Sequence, residues 1–232
     1  MYSIFLSKIN ISFNLIKDRL KEIIKETDKV VIIPWAFATE INADTLDKYF
    51  NEKKRDKYVN PLLELGIKES NITVLNCYRD NEEYMIDKIK NSNVLVLPGG
   101  NPEMFYNKVL KHHLLEVIKN YDKVVIGESA GTELQLKKYF ITAKNNYYKK
   151  FAWYQGFGIV DDSFYMDVHS SNNYRYLNKL QKTANEKNKN VYAIYDDGAI
   201  VYNRKTKELE MFDEKLGELL DLLKKDDLLI IT

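Results

Sequence analysis

Short runs of aliphatic and β-branched residues alternate with longer amphipathic segments along most of this chain. Runs such as 29–33 and 93–97 are apolar at successive positions, which is typical of parallel strands buried on both faces of a sheet. Between the runs, apolar residues recur at helical spacing, as at Ile16, Leu20 and Ile24. This alternation predicts an α/β fold, a three-layer α/β/α sandwich around a mostly parallel, doubly wound sheet.

The same patterns place the individual elements. Predicted strands cover 2–6, 29–33, 71–75, 93–97, 123–127, 163–168, 191–195 and 199–203. Besides the helix around 16–24, predicted helices cover 44–65 (with a break or restart at Pro61), 81–90, 102–119, 130–140 and 171–187. We expect 141–160 to form a loop or a pair of short strands, and 213–232 to form a surface helix and a short strand. No linker or repeat divides the chain, which predicts a single domain over 1–232.

Charge and cysteine content narrow the class of protein. Lysine and arginine total 35 and aspartate and glutamate 34, so no net field directs the chain to nucleic acid or an anionic membrane. No apolar run approaches the ~20 residues that span a bilayer, and no signal-peptide pattern opens the sequence. We therefore expect a cytoplasmic monomer or homodimer. The single cysteine, Cys77, excludes an internal disulfide and a multi-cysteine zinc site, and we predict no metal and no cofactor.

The segment KVVIGESAGTELQ (123–135) carries the clearest chemical signal. A buried strand runs into Gly127-Glu128-Ser129-Ala130-Gly131 and then directly into a helical pattern, the setting that a G-x-S-x-G nucleophile elbow requires. Such a turn holds the serine in a strained backbone conformation, and the helix N-terminus offers N–H groups to a developing oxyanion. The competing interpretation is a glycine-flanked turn with an ordinary N-cap serine.

A second glycine turn, Pro98-Gly99-Gly100-Asn101, ends the strand at 93–97. Ligands of parallel sheets bind at the carboxyl ends of the strands. If this strand neighbours the one at 123–127, the backbone N–H groups of Gly100 and Ala130 can point at one oxygen atom and form an oxyanion hole. The competing interpretation is a plain strand-to-helix loop.

A nucleophilic serine needs a base, and the chain has three histidines. His112 and His113 fall late in a predicted helix, where we expect them to face solvent. His169 ends a predicted strand where a loop begins, which is where a catalytic base belongs in this fold class. His169 is therefore the predicted base, against the alternative of an ordinary loop histidine.

Several aspartates could orient that base. We rank Asp196, which follows a short strand, ahead of Asp167, which shares a strand face with His169. Asp161 and Asp162 also lie between Ser129 and His169. The adjoining Asp197-Gly198 pair has a simpler explanation, because Asp-Gly is a preferred hairpin turn.

Four short motifs now give the chain a family resemblance: PGGN (98–101), GESAG (127–131), QGFGIV (155–160) and DVH (167–169). Together they resemble the dipeptidase E and cyanophycinase family of serine peptidases, from about KVVIIPW to GAIVY. The resemblance implies a class I glutamine amidotransferase-like (flavodoxin-like) fold. It also implies Ser129 as nucleophile, His169 as base, and the amides of Gly100 and Ala130 as oxyanion donors.

The sequence departs from the dipeptidase pattern in three places. The stretch 143–150 has no acid where that branch carries an aspartate. The arginine that follows the family's histidine is matched by Asn173, with Arg175 at a shifted position. Glu128 replaces a small or aromatic residue, and its negative charge would disfavour acidic substrates. Asn101, Glu128, Asn173 and Arg175 are the candidate substrate-binding residues.

The leading hypothesis is a serine hydrolase that cleaves a short peptide through an acyl-enzyme at Ser129. An α/β-hydrolase esterase shares the elbow, but its histidine comes late in the chain, unlike His169. A glutamine amidotransferase needs a thiol at the elbow, and Cys77 is far from it. The remaining alternative is an impaired pseudo-peptidase or a binding protein. It is favoured by the acid-free stretch and by a cluster of aromatic residues, namely Tyr147, Tyr148, Phe151, Trp153 and Tyr154.

Overall fold

A computed structural model describes residues 1–37, 42–142, 148, 150–161, 163–170 and 174–212, with only the backbone described at 174–177. The strands are β1 (Tyr2–Leu6), β2 (Val30–Ile32), β3 (Ile72–Val74), β4 (Val94–Leu97), β5 (Val124–Glu128), β6 (Lys138–Ile141), β7 (Ala152–Gln155), β8 (Phe164–Val168), β9 (Asn190–Ile194), β10 (Ala199–Asn203) and β11 (Leu209–Phe212). The α-helices are α1 (Ile9–Ile23), α2 (Ala43–Tyr49), α3 (Arg55–Tyr58), α4 (Asn60–Glu64), α5 (Glu82–Asn91), α6 (Pro102–Lys111), α7 (Leu115–Lys119), α8 (Ala130–Gln135) and α9 (Tyr174–Lys187).

The main sheet has the strand order β11-β10-β1-β5-β4-β2-β3. The five strands β1, β5, β4, β2 and β3 run parallel to one another. β10 pairs antiparallel with β1, and β11 pairs antiparallel with β10 at one edge of the sheet. Helices cover both faces of the sheet, so the predicted α/β sandwich is confirmed. In β1, β4 and β5 nearly every residue is buried, which is the physical reason for their continuous apolar runs.

Parallel pairing brings the carboxyl ends of β1, β4 and β5 to one edge of this sheet. Leu6 at the end of β1 is in register with Glu128 at the end of β5. Leu97 at the end of β4 is in register with Gly127. The turns that follow these three strands therefore meet at one place, as open parallel sheets require of a ligand site.

Two smaller sheets lie beside the main one. β6 pairs antiparallel with β7, and β8 pairs parallel with β9. The two sheets and helix α9 share a second apolar cluster made of Phe140, Tyr165, Leu180, Val191 and Ala193. Of the two short strands expected within 141–160, only β7 lies there, because its partner β6 ends at Ile141.

Two helix predictions need correction. The predicted helix 130–140 is wrong beyond Gln135, because Lys138–Ile141 (KYFI) forms strand β6 against β7. Aromatic and β-branched residues favour this pairing over another helical turn. The predicted helix 102–119 is two helices, α6 and α7.

The region 44–65 contains α2, a π-helical turn (Phe50–Lys54), α3 and α4. Pro61 falls in the first turn of α4, so the restart predicted there is confirmed. The predicted elements at 213–232 lie outside the described residues. Within the described part of the chain, no helix is both long and apolar enough to cross a membrane.

Candidate active site

Ser129 occupies the sharp turn between β5 and α8. Its φ of 49° and ψ of −111° lie in a region that side-chain-bearing residues rarely adopt. The turn is held from both sides: the N–H of Ser129 donates to the carbonyl of Leu6 at 2.9 Å, and its own carbonyl accepts from Thr132 N at 2.9 Å. Strain that the surrounding structure enforces at one serine is the feature expected of a nucleophile elbow.

Three glycines allow close backbone approaches around the turns after β4 and β5. A Cβ atom on Gly131 would lie 1.8 Å from the carbonyl oxygen of Leu97, so α8 can begin against the end of β4 only if that residue is glycine. Gly100 has φ +146°, and a Cβ there would lie 2.3 Å from the carbonyl oxygen of Ala36. The turn Gly99-Gly100 lies directly against the elbow, since a Cβ on Gly99 would be 3.1 Å from Ser129 Cβ.

A chain of hydrogen bonds joins Ser129, His169 and Asp196. Ser129 Oγ lies 2.9 Å from His169 Nε2, and His169 Nδ1 lies 2.6 Å from Asp196 Oδ1. The pairing of β8 with β9 explains how the last two meet: Val168 is in register with Ile194, so His169 and Asp196 come just after the ends of neighbouring parallel strands. His169 also has a positive φ, 56°, which turns its backbone sharply at the strand end.

Electrostatics fix where the protons lie among Ser129, His169 and Asp196. Burial works to raise the pKa of Asp196, but hydrogen bonds from His169 and Lys8 outweigh it and lower that pKa. An ionised carboxylate only accepts hydrogen bonds, so His169 Nδ1 carries the proton that it donates to Asp196. His169 Nε2 then presents its lone pair to the Ser129 hydroxyl proton, the arrangement that a general base needs.

Ser7 and Lys8 support this pair, and sequence reasoning missed both. Ser7 Oγ accepts from His169 N at 2.8 Å and lies 3.1 Å from His169 Nδ1. Lys8 Nζ donates to Asp196 Oδ2. Their position in the sequence could have indicated them. They directly follow β1, the strand beside β5, and therefore lie at the same edge of the sheet as Ser129.

Glu128 is the predicted site residue that the structure places differently. Its carboxylate is 3% exposed and lies beneath the elbow, where it accepts hydrogen bonds from Tyr58 and two backbone amides and forms an ion pair with Lys57. A buried, fully paired carboxylate has no face left for substrate, so the predicted substrate-binding role is corrected. Its charge is balanced by Lys57, so the predicted repulsion of acidic substrates loses its basis as well.

The other candidate binding residues divide into two groups. Asn101 caps α6, where its Oδ1 accepts from Met104 N at 2.9 Å, which is a structural role. Asn173 lies outside the described residues. Arg175 lies in the first turn of α9, where only the backbone is described.

The other described candidate acids have partners of their own. Asp167 is 2% exposed and accepts from Thr142 at 3.4 Å. Asp161 pairs with Lys207 at 3.1 Å, and Asp162 lies outside the described residues. The turn at 196–198 is not a hairpin, because β9 pairs with β8 whereas β10 pairs with β1.

The two helical histidines differ from each other. His113 is exposed and lies 2.8 Å from Glu82, as expected for a solvent-facing residue. His112 is half-buried, with its ring 5.3 Å from that of Trp35, and burial lowers the pKa of His112. The prediction that both face solvent is thus correct for His113 only.

The described members of the aromatic cluster pack mostly against the protein itself. Trp153 contacts Phe140 and Tyr165, and Tyr154 stacks on Tyr139 at 5.5 Å. Phe151 remains 37% exposed, while Tyr147 lies outside the described residues. In the described part of the chain, no group of three or more His, Cys, Asp or Glu residues is placed to hold a metal ion.

The parallel α/β sheet, the strained serine at its carboxyl edge and the histidine–aspartate pair beside it define an α/β protein with a serine-hydrolase type of site. The model of peptidase family S51 matches residues 7–231, and the chain belongs to this family of serine-type peptidases. The family resemblance read from the four motifs is therefore confirmed. No curated protein matches the sequence significantly.

Solved structures share the fold. A putative peptidase E from Listeria monocytogenes EGD-e is 19% identical, with a TM-score of 0.63, and the match covers 90% of this chain and 96% of that one. A peptidase from an acI-B1 Actinobacterium is 14% identical, with a TM-score of 0.62 and coverage of 91% and 87%. At these identities the likeness concerns the fold.

Proposed function

We propose that this peptidase hydrolyses short peptides through an acyl-enzyme formed on Ser129. The observation that carries the proposal is the hydrogen-bonded sequence Ser129 Oγ, His169 Nε2, His169 Nδ1 and Asp196 Oδ1, with contacts of 2.9 and 2.6 Å. A serine whose proton has an acceptor already in place, with that acceptor oriented by a carboxylate, is equipped for nucleophilic attack.

The reaction would proceed in two halves. His169 Nε2 takes the Ser129 proton as Oγ attacks the peptide carbonyl, and the resulting imidazolium is stabilised by Asp196. The amides of Gly100 and Ala130, on the two touching turns, would bind the oxyanion. His169 then returns the proton to the leaving amine, and water hydrolyses the acyl-enzyme by the same exchange of protons.

A peptide substrate follows from membership of a peptidase family, and the preference for short peptides rests on the resemblance to dipeptidase E. Hydrolysis of dipeptides and tripeptides, compared with an unfolded protein such as casein, tests this size preference. We expect the short peptides to be cleaved and casein to remain intact; preferential cleavage of casein would contradict the size preference.

Covalent labelling by a fluorophosphonate probe tests the nucleophile itself. We expect the wild-type chain to be labelled at one serine, and Ser129→Ala to lose both labelling and peptide hydrolysis. Ser163→Ala, at another serine after the elbow, is the control and should label normally. Equal labelling of wild type and Ser129→Ala would overturn the proposal, and absence of labelling in the wild type would favour a binding protein instead.

A further inference from the structure

The buried carboxylate of Glu128 contacts three other segments of the chain through three hydrogen bonds and one ion pair. Its Oε1 forms an ion pair with Lys57 Nζ at 2.5 Å and accepts from Ile9 N at 3.2 Å. Its Oε2 accepts from the Tyr58 hydroxyl and from Gly99 N at 3.3 Å. Glu128, Tyr58 and Lys57 are called the Glu128 cluster below.

A carboxylate is costly to bury, so a buried one needs compensating donors. The cluster supplies them: Lys57 balances the charge, and Tyr58 remains a hydroxyl donor because burial and the Glu128 charge raise the pKa of Tyr58 well above its ordinary value. The elbow serine follows Glu128 directly in the chain. Glu128 thus carries the cluster directly beside the strained backbone of Ser129.

On one side, the cluster controls the glycine turn after β4. Gly99 N donates both to Glu128 Oε2 and to the Tyr58 hydroxyl, the latter at 3.2 Å, and Asn101 N donates to the Ala36 carbonyl at 2.8 Å. The N–H groups on either side of Gly100 are therefore both fixed. The direction of the Gly100 N–H between them depends on these two attachments.

On the other side, the cluster holds the start of α1. Ile9 N donates to Glu128, and the two residues before it, Ser7 and Lys8, contact His169 and Asp196. One carboxylate thus links the segment that supports the base to the turn that carries a proposed oxyanion donor. Each of these attachments joins segments far apart in the sequence.

We propose that the Glu128 cluster is a positioning device that orients the Gly99-Gly100 turn toward the carbonyl oxygen of a substrate bound at Ser129. This inference rests on the proposed function of Ser129. Glu128, Tyr58 and Lys57 act through the turn and do not touch substrate.

Tyr58→Phe is the sharpest test, because it removes one hydroxyl and keeps the ring. Loss of the hydroxyl frees Gly99 N from one of its two acceptors and misdirects Gly100 N–H. We expect kcat to fall ~10-fold, less than the ~10²–10³-fold that follows loss of a whole oxyanion donor, with KM nearly unchanged. The rate of fluorophosphonate labelling should fall in parallel, since that reaction also develops a negative oxygen.

Tyr121→Phe is the matched control. Tyr121 is also a buried tyrosine, with its hydroxyl 3.0 Å from Ser92 Oγ, but it lies before β5, at the opposite end of the sheet from Ser129. This variant should keep wild-type kcat and labelling rate. Rates are expressed per labelled site, so that partial unfolding does not count as slow chemistry.

A second variant covers the case in which Tyr58→Phe does not fold. Lys57 is 30% exposed, and Lys57→Met should slow labelling, whereas Lys57→Arg, which retains the charge, should restore it. If the folded variants label as fast as the wild type, the inference is overturned and the proposed function stands. If the wild type shows no Ser129-dependent labelling, the proposed function fails and the inference fails with it.

Discussion

At the scale of single residues, Ser129 and His169 share an unusual property: both have positive φ angles, 49° and 56°. Ser129 is the first residue after β5, and His169 is the first residue after β8. At each turn, a backbone hydrogen bond to the end of the neighbouring strand holds the turn in place. Ser129 N donates to Leu6 O at 2.9 Å and Ser170 N to Ile194 O at 3.0 Å. Such backbone conformations persist only where surrounding contacts enforce them. The positions of the Ser129 and His169 side chains therefore depend on the rigid strands that precede them.

Replacement of the orienting carboxylate tests the histidine tautomer. Asp196→Asn keeps the shape of the side chain, but it removes the negative charge and turns one acceptor oxygen into an NH2 donor, so the proton is no longer fixed on His169 Nδ1. We expect kcat for peptide hydrolysis to fall by roughly 10³- to 10⁴-fold, as loss of the correct tautomer implies. Asp197→Asn, at the neighbouring aspartate in the same turn, should stay within about twofold of the wild type; a comparable loss there would assign the orienting role elsewhere.

At the scale of elements, the elbow depends on how closely α8 approaches β4. The N-terminus of α8 reaches the Leu97 carbonyl only because Gly131 has no side chain. The local pattern G-x-S-x-G therefore encodes a contact between two elements, and this is why the sequence could predict it. By contrast, the periodicity of 130–140 gave no sign that the helix stops at Gln135, because strand β6 forms only by pairing with β7, across the intervening stretch.

Gly131→Ala tests that close approach. The new methyl group would lie 1.8 Å from Leu97 O, a backbone atom that cannot move aside freely. We expect the free energy of unfolding to drop by about 3 kcal/mol and labelling of Ser129 to be lost. Chemical denaturation measures the first effect.

Gly158→Ala provides the comparison for this prediction. Its Cβ would have no neighbour closer than 3.9 Å, but its φ of +75° makes alanine strained. This variant should lose only about 1 kcal/mol and keep its labelling. Equal losses of unfolding free energy in Gly131→Ala and Gly158→Ala would contradict the prediction that the close approach of α8 to β4 determines the cost at Gly131.

At the scale of the whole molecule, the site gathers contributions from across the chain. Three separate segments meet at this edge: residues 7 and 8 after β1, Tyr58 at the end of α3 and Gly99 after β4, while His169 and Asp196 follow the strands of the smaller sheet, β8 and β9. The near-zero net charge gives no long-range field, so selectivity must come from groups at this edge. The single domain expected over 1–232 stays a prediction.

The pH dependence of global stability follows from Asp196. Because its pKa in the folded protein lies below the ordinary value of 3.8, its contacts with His169 and Lys8 stabilise the fold above that value and lose this effect as pH falls through the lowered pKa. We expect Asp196→Asn to be less stable than the wild type at pH 7, and the gap to shrink below about pH 4. Urea unfolding of both proteins at pH 3 and pH 7 checks this; a gap that is constant with pH would contradict it.

The sequence by itself determined the parallel sheet, and it predicted the elbow at Ser129 and the base at His169, because continuous apolar runs, glycine spacing and strand ends are local patterns. Only the tertiary structure decided that Asp196 meets His169, since that contact depends on the pairing of β8 with β9. It also decided that Glu128 turns inward to Tyr58 and Lys57 instead of outward to substrate. The physical reason is that local propensity and periodicity fix the elements, whereas the partner of a buried charge is fixed by packing between segments that no local pattern connects.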